Sequence, residues 1–128
     1  MVSMSWSATL QVSGSPAVSV IRPPITVEAV DRIEAVIAPG EQDKAVAVQP
    51  GAIAAIHVLL VKSSLYSKNL SFKANDGATD STAIVLDSPQ LFSGGGLAAI
   101  KIAPRSLKFS NSGPDVATVE VIVVRNAN

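Results

Sequence analysis

His57 is the only histidine in the chain, which makes it the first candidate for a catalytic general base. A Ser-His-Asp triad would require this base beside an activated serine and oriented by an acidic residue. His57 lies between Ile56 and Val58 in an apolar run, and no serine stands in the G-x-S-x-G pattern of a nucleophile elbow. The sequence therefore favours a structural histidine, and we expect no catalytic residue and no enzymatic activity.

Metal binding is the next chemistry to test. The chain has no cysteine, and a single histidine cannot supply the usual ligand sets for zinc, copper or non-haem iron. Residues 75–80 carry oxygen ligands that suit calcium, but they lack the D-x-[DN]-x-[DN]-G frame and the closing glutamate. Asp76-Gly77 is instead a strong turn signal, because glycine adopts positive φ without strain. We expect a turn there, no metal site and no cofactor.

Gly94-Gly95-Gly96 is the one glycine run, and it lacks the G-K-[ST] and G-x-G-x-x-G patterns of phosphate-binding loops. It is predicted to be a flexible loop or bulge. One Trp, one Tyr and three Phe are few for the aromatic platforms of a glycan site. Two alternatives stay open: a ligand-binding β-sandwich module for glycan or peptide, and a β-fold hydrolase with paired carboxylates or His57 as base.

The charge balance argues against two classes of partner. Ten basic and ten acidic residues give a formal net charge of zero, so the chain lacks the basic excess that drives binding to nucleic acid or anionic membranes. Charged residues make up only 16% of the chain, which indicates surface that is buried against protein partners. Acidic residues predominate in residues 28–43 and basic ones in residues 62–108. These are either ordinary solvated faces or the two sides of a head-to-tail contact between subunits.

Residues 1–12 lack the basic start and continuous apolar run of a signal peptide. The longest apolar run, residues 52–61, is interrupted by His57 and is too short to cross a membrane. We therefore expect a protein that stays where it is made or travels within an assembly.

Proline and glycine divide the chain into strand-length segments, as in an antiparallel β-sandwich or jelly roll. The turn signals are residues 13–16, 23–24, 39–40, 50–51, 76–77, 88–89, 94–96 and 112–114. Alternation between apolar and polar residues predicts half-buried strands, each with one face exposed to solvent. The clearest cases are Trp6-Ala8-Leu10-Val12, Leu70-Phe72-Ala74 and Ala98-Ile100-Ile102. The predicted fold class is all-β.

Residues 53–61 and 119–124 are apolar on both faces, apart from His57 and Glu120. Such strands are covered on both sides, whereas a two-layer sandwich covers only one face of each sheet. We therefore expect Ile122 and Val124 to be covered by a neighbouring subunit or by an N-terminal arm. Residues 1–24, which end at Pro23-Pro24, are the candidate arm or first strands, and residues 25–128 are then a single β-sandwich domain.

Residues 26–38 fit two structures. Their apolar residues share one strand face, but Val30, Ile33 and Ile37 also form a helical stripe with Thr26 as a candidate N-cap. β-Branched residues dominate the segment, and they favour a strand.

Several features occur together in this chain: a small size, few charges, a high content of Ala and Val, and an N-terminal segment that ends at Pro23-Pro24. Residues 88–92, Ser-Pro-Gln-Leu-Phe, precede a glycine-rich turn, and residues 116–125, Val-Ala-Thr-Val-Glu-Val-Ile-Val-Val-Arg, form a closing strand. This combination resembles the small β-sandwich virion proteins of tailed bacteriophages, such as capsid decoration (cement) proteins.

The resemblance implies a structural virion protein, either a capsid decoration protein or a minor coat subunit. Such a protein would be made in the host cytoplasm and stabilise the particle through subunit contacts. The implied partners are further copies of the chain, with a homotrimer as the expected state, and a major capsid protein. No motif within the resemblance assigns a functional residue.

Overall fold

The computed structural model describes residues 2–48 and 53–126, which leaves the turn predicted at residues 50–51 outside the described part. Strands account for 57% of the structure and helices for 8%, so the all-β prediction is confirmed. Short 3₁₀ helices occupy Ile53–Ala55 and Gly94–Ile100. The strands are β1 (Val2–Leu10), β2 (Val18–Val27), β3 (Ala29–Ile37), β4 (Lys44–Ala47), β5 (Ile56–Ser63), β6 (Leu70–Asn75), β7 (Ile84–Val85), β8 (Gln90–Ser93), β9 (Ser106–Asn111) and β10 (Ala117–Arg125).

Two antiparallel sheets form the body of the molecule. Sheet 1 has the order β3-β10-β5-β8, and sheet 2 has the order β4-β9-β6-β7. From β3 onward the chain crosses between the sheets at every step except from β6 to β7. Eight strands wound in this order form a jelly roll, so the expected β-sandwich is present with that topology.

The core lies between the sheets and follows the two-residue period of the strands. Val119, Val121 and Val123 of β10 point inward and are fully buried. Phe72 and Phe109 of sheet 2 face them, with ring centroids 5.8 Å apart. Each of these side chains leaves water almost completely on folding and so contributes to the hydrophobic stabilisation of the sandwich.

Residues 26–38 form the end of β2 and the whole of β3, so the strand interpretation is confirmed over the helical one. Ile33 and Ile37 contact the core. Asp31 interrupts this apolar face at its end, where its carboxylate accepts a hydrogen bond from Arg125 Nε at 3.0 Å. The ion pair explains how an aspartate is accommodated on an inward face.

Strands β1 and β2 pair with each other as an antiparallel hairpin, which we call the hairpin. Its turn is closed by a hydrogen bond from Ser15 N–H to the Val12 carbonyl at 3.0 Å, and Gly14 there has a φ of 82°. Pro23 and Pro24 together stand opposite Ser5, which makes a β-bulge, a position that tolerates residues without an N–H. The hairpin continues through Glu28 into β3, so it ends at Val27 rather than at the expected boundary after residue 24.

The strand predicted for residues 98–102 is wrong, as is the loop or bulge predicted for the glycine run. Gly94–Ile100 forms a 3₁₀ helix that ends at Lys101 with a φ of 69°. Leu97 and Ile100 are buried, and their spacing of three residues matches one turn of a 3₁₀ helix. The alternation of Ala98 and Ile100 was therefore coincidental.

Candidate functional site

His57 lies near the start of β5 and is partly buried. Its Nε2 is 3.1 Å from Asn126 Oδ1, so its side-chain partner is an amide rather than a serine or a carboxylate. It borders an open depression of about 390 Å³ that is otherwise lined by small and aliphatic residues such as Gly94, Leu97 and Ala98. This hydrogen bond ties the residue that follows β10 to β5, as expected of a structural histidine.

The turn at residues 75–80 is held together by its own polar groups. Asp76 Oδ1 accepts hydrogen bonds from the Thr79 N–H at 2.7 Å and the Ala78 N–H at 2.9 Å. These bonds favour the ionised carboxylate and lower the pKa of Asp76. Hydrogen bonds from Asn75 and Lys108 likewise lower the pKa of Asp80.

Within residues 2–48 and 53–126, no group of three or more His, Cys, Asp and Glu side chains is placed to hold a metal ion. In the same part of the chain, no helix is long and apolar enough to cross a membrane.

The outer face of sheet 1 is the site to which the hairpin attaches. Strand register places Val30, Val124, Val58 and Ser93 in one row across the four strands of this face. The hairpin residues that pack on this row are Met4, Trp6, Ile25 and Val27. The Trp6 indole N–H donates a hydrogen bond to Ser93 Oγ at 3.2 Å.

The cover that the sequence predicted for Ile122 and Val124 is confirmed in full for Val124 and in part for Ile122, and the hairpin provides it. Val124 is only 4% exposed, and Ile122 is partly buried against the same cluster. We call the packed residues Met4, Trp6, Ile25 and Val27 the hairpin base. The N-terminal segment therefore forms a third layer over one end of the sandwich.

The hairpin base crosses the sheet from one side to the other. At one end of the hairpin base, Glu28 follows Val27, and its N–H donates a hydrogen bond to the Arg125 carbonyl at 3.2 Å. At the other end, Trp6 contacts Ser93 of β8. Because β8 is the edge strand of sheet 1, no strand within residues 2–48 and 53–126 lies beneath the hairpin beyond Trp6. Every residue from 7 to 24 is exposed. We call residues 7–24 the distal hairpin. It reaches about 20 Å past Trp6, at ~3.3 Å per residue.

The two faces of the distal hairpin differ in chemistry. Cross-strand pairs Ala8–Val20 and Leu10–Val18 form an apolar surface, the hairpin face, which continues the side of the base that packs on the sheet. Leu10, Val18 and Val20 are 66%, 58% and 51% exposed. The half-buried strand predicted from Trp6, Ala8, Leu10 and Val12 is therefore wrong beyond Trp6, because the body of the molecule ends there.

The opposite face of the distal hairpin is largely hydroxylic. Thr9 Oγ1 and Ser19 Oγ are 3.2 Å apart, and Ser7 pairs with Ile21 in the register. Arg22 is the only charged side chain in residues 2–27, and because it pairs with Trp6 it lies at the inner end of the hairpin face rather than on this opposite face. The outer part of the hairpin face, Leu10 and Val18, is uncharged and can contact another apolar surface.

The second row of the outer face of sheet 1 holds Arg32, Ile122, Leu60 and Leu91. We call Leu60, Leu91 and Ile122 the sheet patch. Leu91 is 41% exposed, while Leu60 and Ile122 are partly exposed.

The third row of this face is charged and bounds the sheet patch. Glu120 lies there between Glu34 and Lys62, and Lys62 Nζ is 3.1 Å from Glu120 Oε1. The outer face of sheet 2 is polar instead, with residues Ser71, Lys73, Ser106, Lys108 and Ser110.

The acidic segment that the sequence offered as a docking element belongs to the body of the sandwich, and several of its charges have partners within the chain. Asp31 pairs with Arg125, and Asp43 Oδ1 is 3.4 Å from Lys73 Nζ. The element that sequence reasoning missed is the pairing of β1 with β2, which leaves an exposed apolar face on the hairpin. Its signal was the turn at residues 13–16 between two alternating stretches, which is typical of a hairpin.

Comparison with known proteins finds no matching family model, no matching curated sequence and no matching solved structure. The function has to be inferred from the fold and the surfaces of the chain itself.

Proposed function

We propose that this protein is a structural subunit of a virion, a capsid decoration or minor coat protein that acts by joining neighbouring proteins. The observation that carries the proposal is the distal hairpin, which reaches about 20 Å past Trp6 and leaves Leu10, Val18 and Val20 exposed to water along its length. Each Å² of apolar surface left in water forgoes ~25 cal/mol. A projecting apolar element of this kind is explained when a partner covers it.

The topology supports the same function class. Jelly rolls are used by viral capsid proteins, and also by lectins and cupins, so the fold alone does not choose among them. A lectin uses aromatic or hydrogen-bonding side chains in a concave site. The polar depression of about 480 Å³ beside Asn69 and Asn111 borders no aromatic side chain. The apolar projection fits a coat subunit better than a ligand-binding module.

The charge content fits contacts with proteins. Interfaces of permanent assemblies are apolar and depleted of charge at their centres, and this chain has 16% charged residues and a net charge of zero. The proposed partners are other copies of the chain, in a homo-oligomer such as a trimer, and a major capsid protein. The proposed location is the virion surface.

Density-gradient fractionation of virus particles from the source organism tests the proposal. We expect an antibody against this protein to detect it in the particle fractions at a fixed ratio to the major capsid protein. Mild denaturant should release it without dissolving the shell. Recovery only in the free-protein fractions, as a monomer, would contradict the virion assignment.

A further inference from the structure

We infer that the hairpin face of one copy docks on the sheet patch of a second copy of this chain. The inference rests on the proposed function as an assembling subunit, and it names the contact through which the subunits join.

The first step is the contact that the chain already makes with itself. The hairpin base packs on the row of Val58 and Val124, so this hairpin and this sheet face are complementary surfaces. Both surfaces continue past the point of contact. The hairpin side continues from Trp6 to Leu10 and Val18, and the sheet side continues from Val58 to Leu60. One chain therefore carries both uncovered halves of a single type of contact.

The second step is that the two halves cannot meet within one chain. Trp6 is hydrogen-bonded to Ser93 on the edge strand of sheet 1. Leu10 lies four residues further out, about 13 Å beyond that edge at ~3.3 Å per residue. Folding the hairpin face back onto the sheet patch would break the buried packing of Val27 and Val124. The partner that supplies the missing half is therefore a second copy.

The third step is the match in size and chemistry. The distal hairpin is two strands wide, about 10 Å, and the sheet patch spans the three adjacent strands β10, β5 and β8, about 14 Å at ~4.8 Å per strand, so the hairpin fits within the patch. The hairpin-face residues Ala8, Leu10, Val18 and Val20 and the sheet patch are themselves uncharged. Arg22 lies at the inner end of the hairpin face and Arg32 beside Ile122, and the charged row of Glu120 and Lys62 bounds the sheet patch on one side. Each copy gives one hairpin and receives one, so the contacts produce a reciprocal dimer, a closed ring or, if the rotation does not close, an open filament.

Cysteine cross-linking gives a direct test, because the chain contains no cysteine. Single variants Leu10→Cys and Leu91→Cys are mixed and mildly oxidised. A disulfide needs Cα atoms within about 7 Å, so the mixed disulfide dimer forms only if the hairpin of one copy reaches the sheet patch of another. The matched control is Leu10→Cys mixed with Val85→Cys. Val85 is 43% exposed against 41% for Leu91, and it lies on the edge strand of sheet 2.

Light scattering after size-exclusion chromatography measures the same contact without a cross-link. We expect Leu10→Lys with Val18→Lys, and separately Leu91→Lys, to raise the apparent Kd of self-association about tenfold or more. The control Thr9→Lys with Ser19→Lys changes the opposite face of the same hairpin and should leave the assembly mass unchanged.

The inference is overturned by equal cross-linking to Val85→Cys, by Leu10→Cys pairing mainly with itself, or by normal assembly of Leu91→Lys. If any of these occurs while the protein still binds particles, only the contact is wrong and the proposed function stands. If the protein is a monomer at all concentrations and also fails to bind particles, both the proposed contact and the proposed function are contradicted.

Discussion

Asn111 is the buried polar side chain of the described part of the chain, at 3% exposure. Its Nδ2 donates to the Ile37 carbonyl at 3.2 Å and to the Asp115 carbonyl at 2.8 Å, while its Oδ1 accepts from the Gly113 N–H at 3.0 Å. One amide therefore ties the end of β3 to the turn between β9 and β10. Every polar atom of the side chain is used, which is the condition for burying it without a net cost.

We predict that Asn111→Asp lowers the free energy of unfolding by about 2–4 kcal/mol. The change keeps the side chain's shape but removes both donors and places a carboxylate beside two carbonyl oxygens. Denaturant unfolding followed by circular dichroism measures the effect. The control is Asn69→Asp, an exposed position where the same change should cost within about 0.5 kcal/mol. Equal stability of the two variants would contradict the role assigned to Asn111.

Asp76 leads to a prediction about acid stability. Its pKa is lowered by the Thr79 and Ala78 N–H groups, so it contributes stability above the unfolded aspartate pKa of ~3.9, and this contribution is lost as the pH falls through the lower folded value. The variant Asp76→Asn keeps an acceptor oxygen but carries no charge. We expect the wild type to be more stable than this variant at pH 7, and the difference to close below about pH 4. Thermal unfolding across pH measures the gap.

The control for charge alone is Asp87→Asn, which removes an exposed aspartate from the bend after β7. A wild-type advantage over Asp76→Asn that stays constant down to pH 2 would show that the N–H groups do not act through ionisation.

At the scale of elements, the hairpin base buries the outer face of β10 at Val124, while the inner face is buried from Ala117 to Val123. Trp6 is the only tryptophan, and its position between the hairpin and Ser93 makes it a native reporter of whether the base is docked. We predict that Val124→Lys shifts Trp6 emission to the red and lowers the unfolding free energy by about 2–4 kcal/mol, because the charge disfavours the packed base. Fluorescence and circular dichroism together measure this.

The matched control is Val36→Lys, on the same outer face of sheet 1 but 52% exposed. It should leave both the emission and the stability close to wild type. Unchanged Trp6 emission in Val124→Lys would mean that the hairpin base is held by contacts other than those with Val58 and Val124.

The sequence predicted the strands well where burial enforces a strict alternation, as in β6, and where apolar residues fill both faces, as in β10. It predicted that Val124 is covered, because apolar side chains on a second face require a cover. It could not say how far that cover extends, because alternation shows which side chains share a face and not where the underlying sheet ends. Leu10 and Trp6 share a face, yet only Trp6 has a strand beneath it.

The 3₁₀ helix Gly94–Ile100 shows a second limit. Over so short a segment, Ala98 and Ile100 fit a period of two, while Leu97 and Ile100 fit a period of three. Tertiary packing decides between them, because the buried pair in the folded chain is Leu97 and Ile100. For residues 26–38, by contrast, the β-branched content favoured the correct structure.

At the scale of the whole molecule, stability is distributed unevenly. The sandwich has a continuous core around Phe72, Phe109 and the valines of β10, whereas residues 7–24 are all exposed. An isolated two-stranded hairpin is only marginally stable in water. The distal hairpin should therefore open locally while the sandwich stays folded, as the least stable segments of a protein do.

Hydrogen exchange measured by mass spectrometry at two protein concentrations tests this distribution and links it to assembly. In dilute protein, we expect amides of residues 7–10 and 18–22 to exchange orders of magnitude faster than those of Ala117–Arg125, because only the hairpin opens without global unfolding. At a concentration where copies associate, the hairpin amides should become protected, because a bound partner stabilises the closed form. The turn at residues 76–79, which is exposed apart from Asp76 and lies away from the sheet patch, is the internal control and should exchange at the same rate at both concentrations.

Hairpin amides that are as slow as those of β10 in dilute protein would contradict the local opening. Hairpin exchange that does not change with concentration would show that the exposed apolar face of Leu10 and Val18 is not where copies of this chain meet.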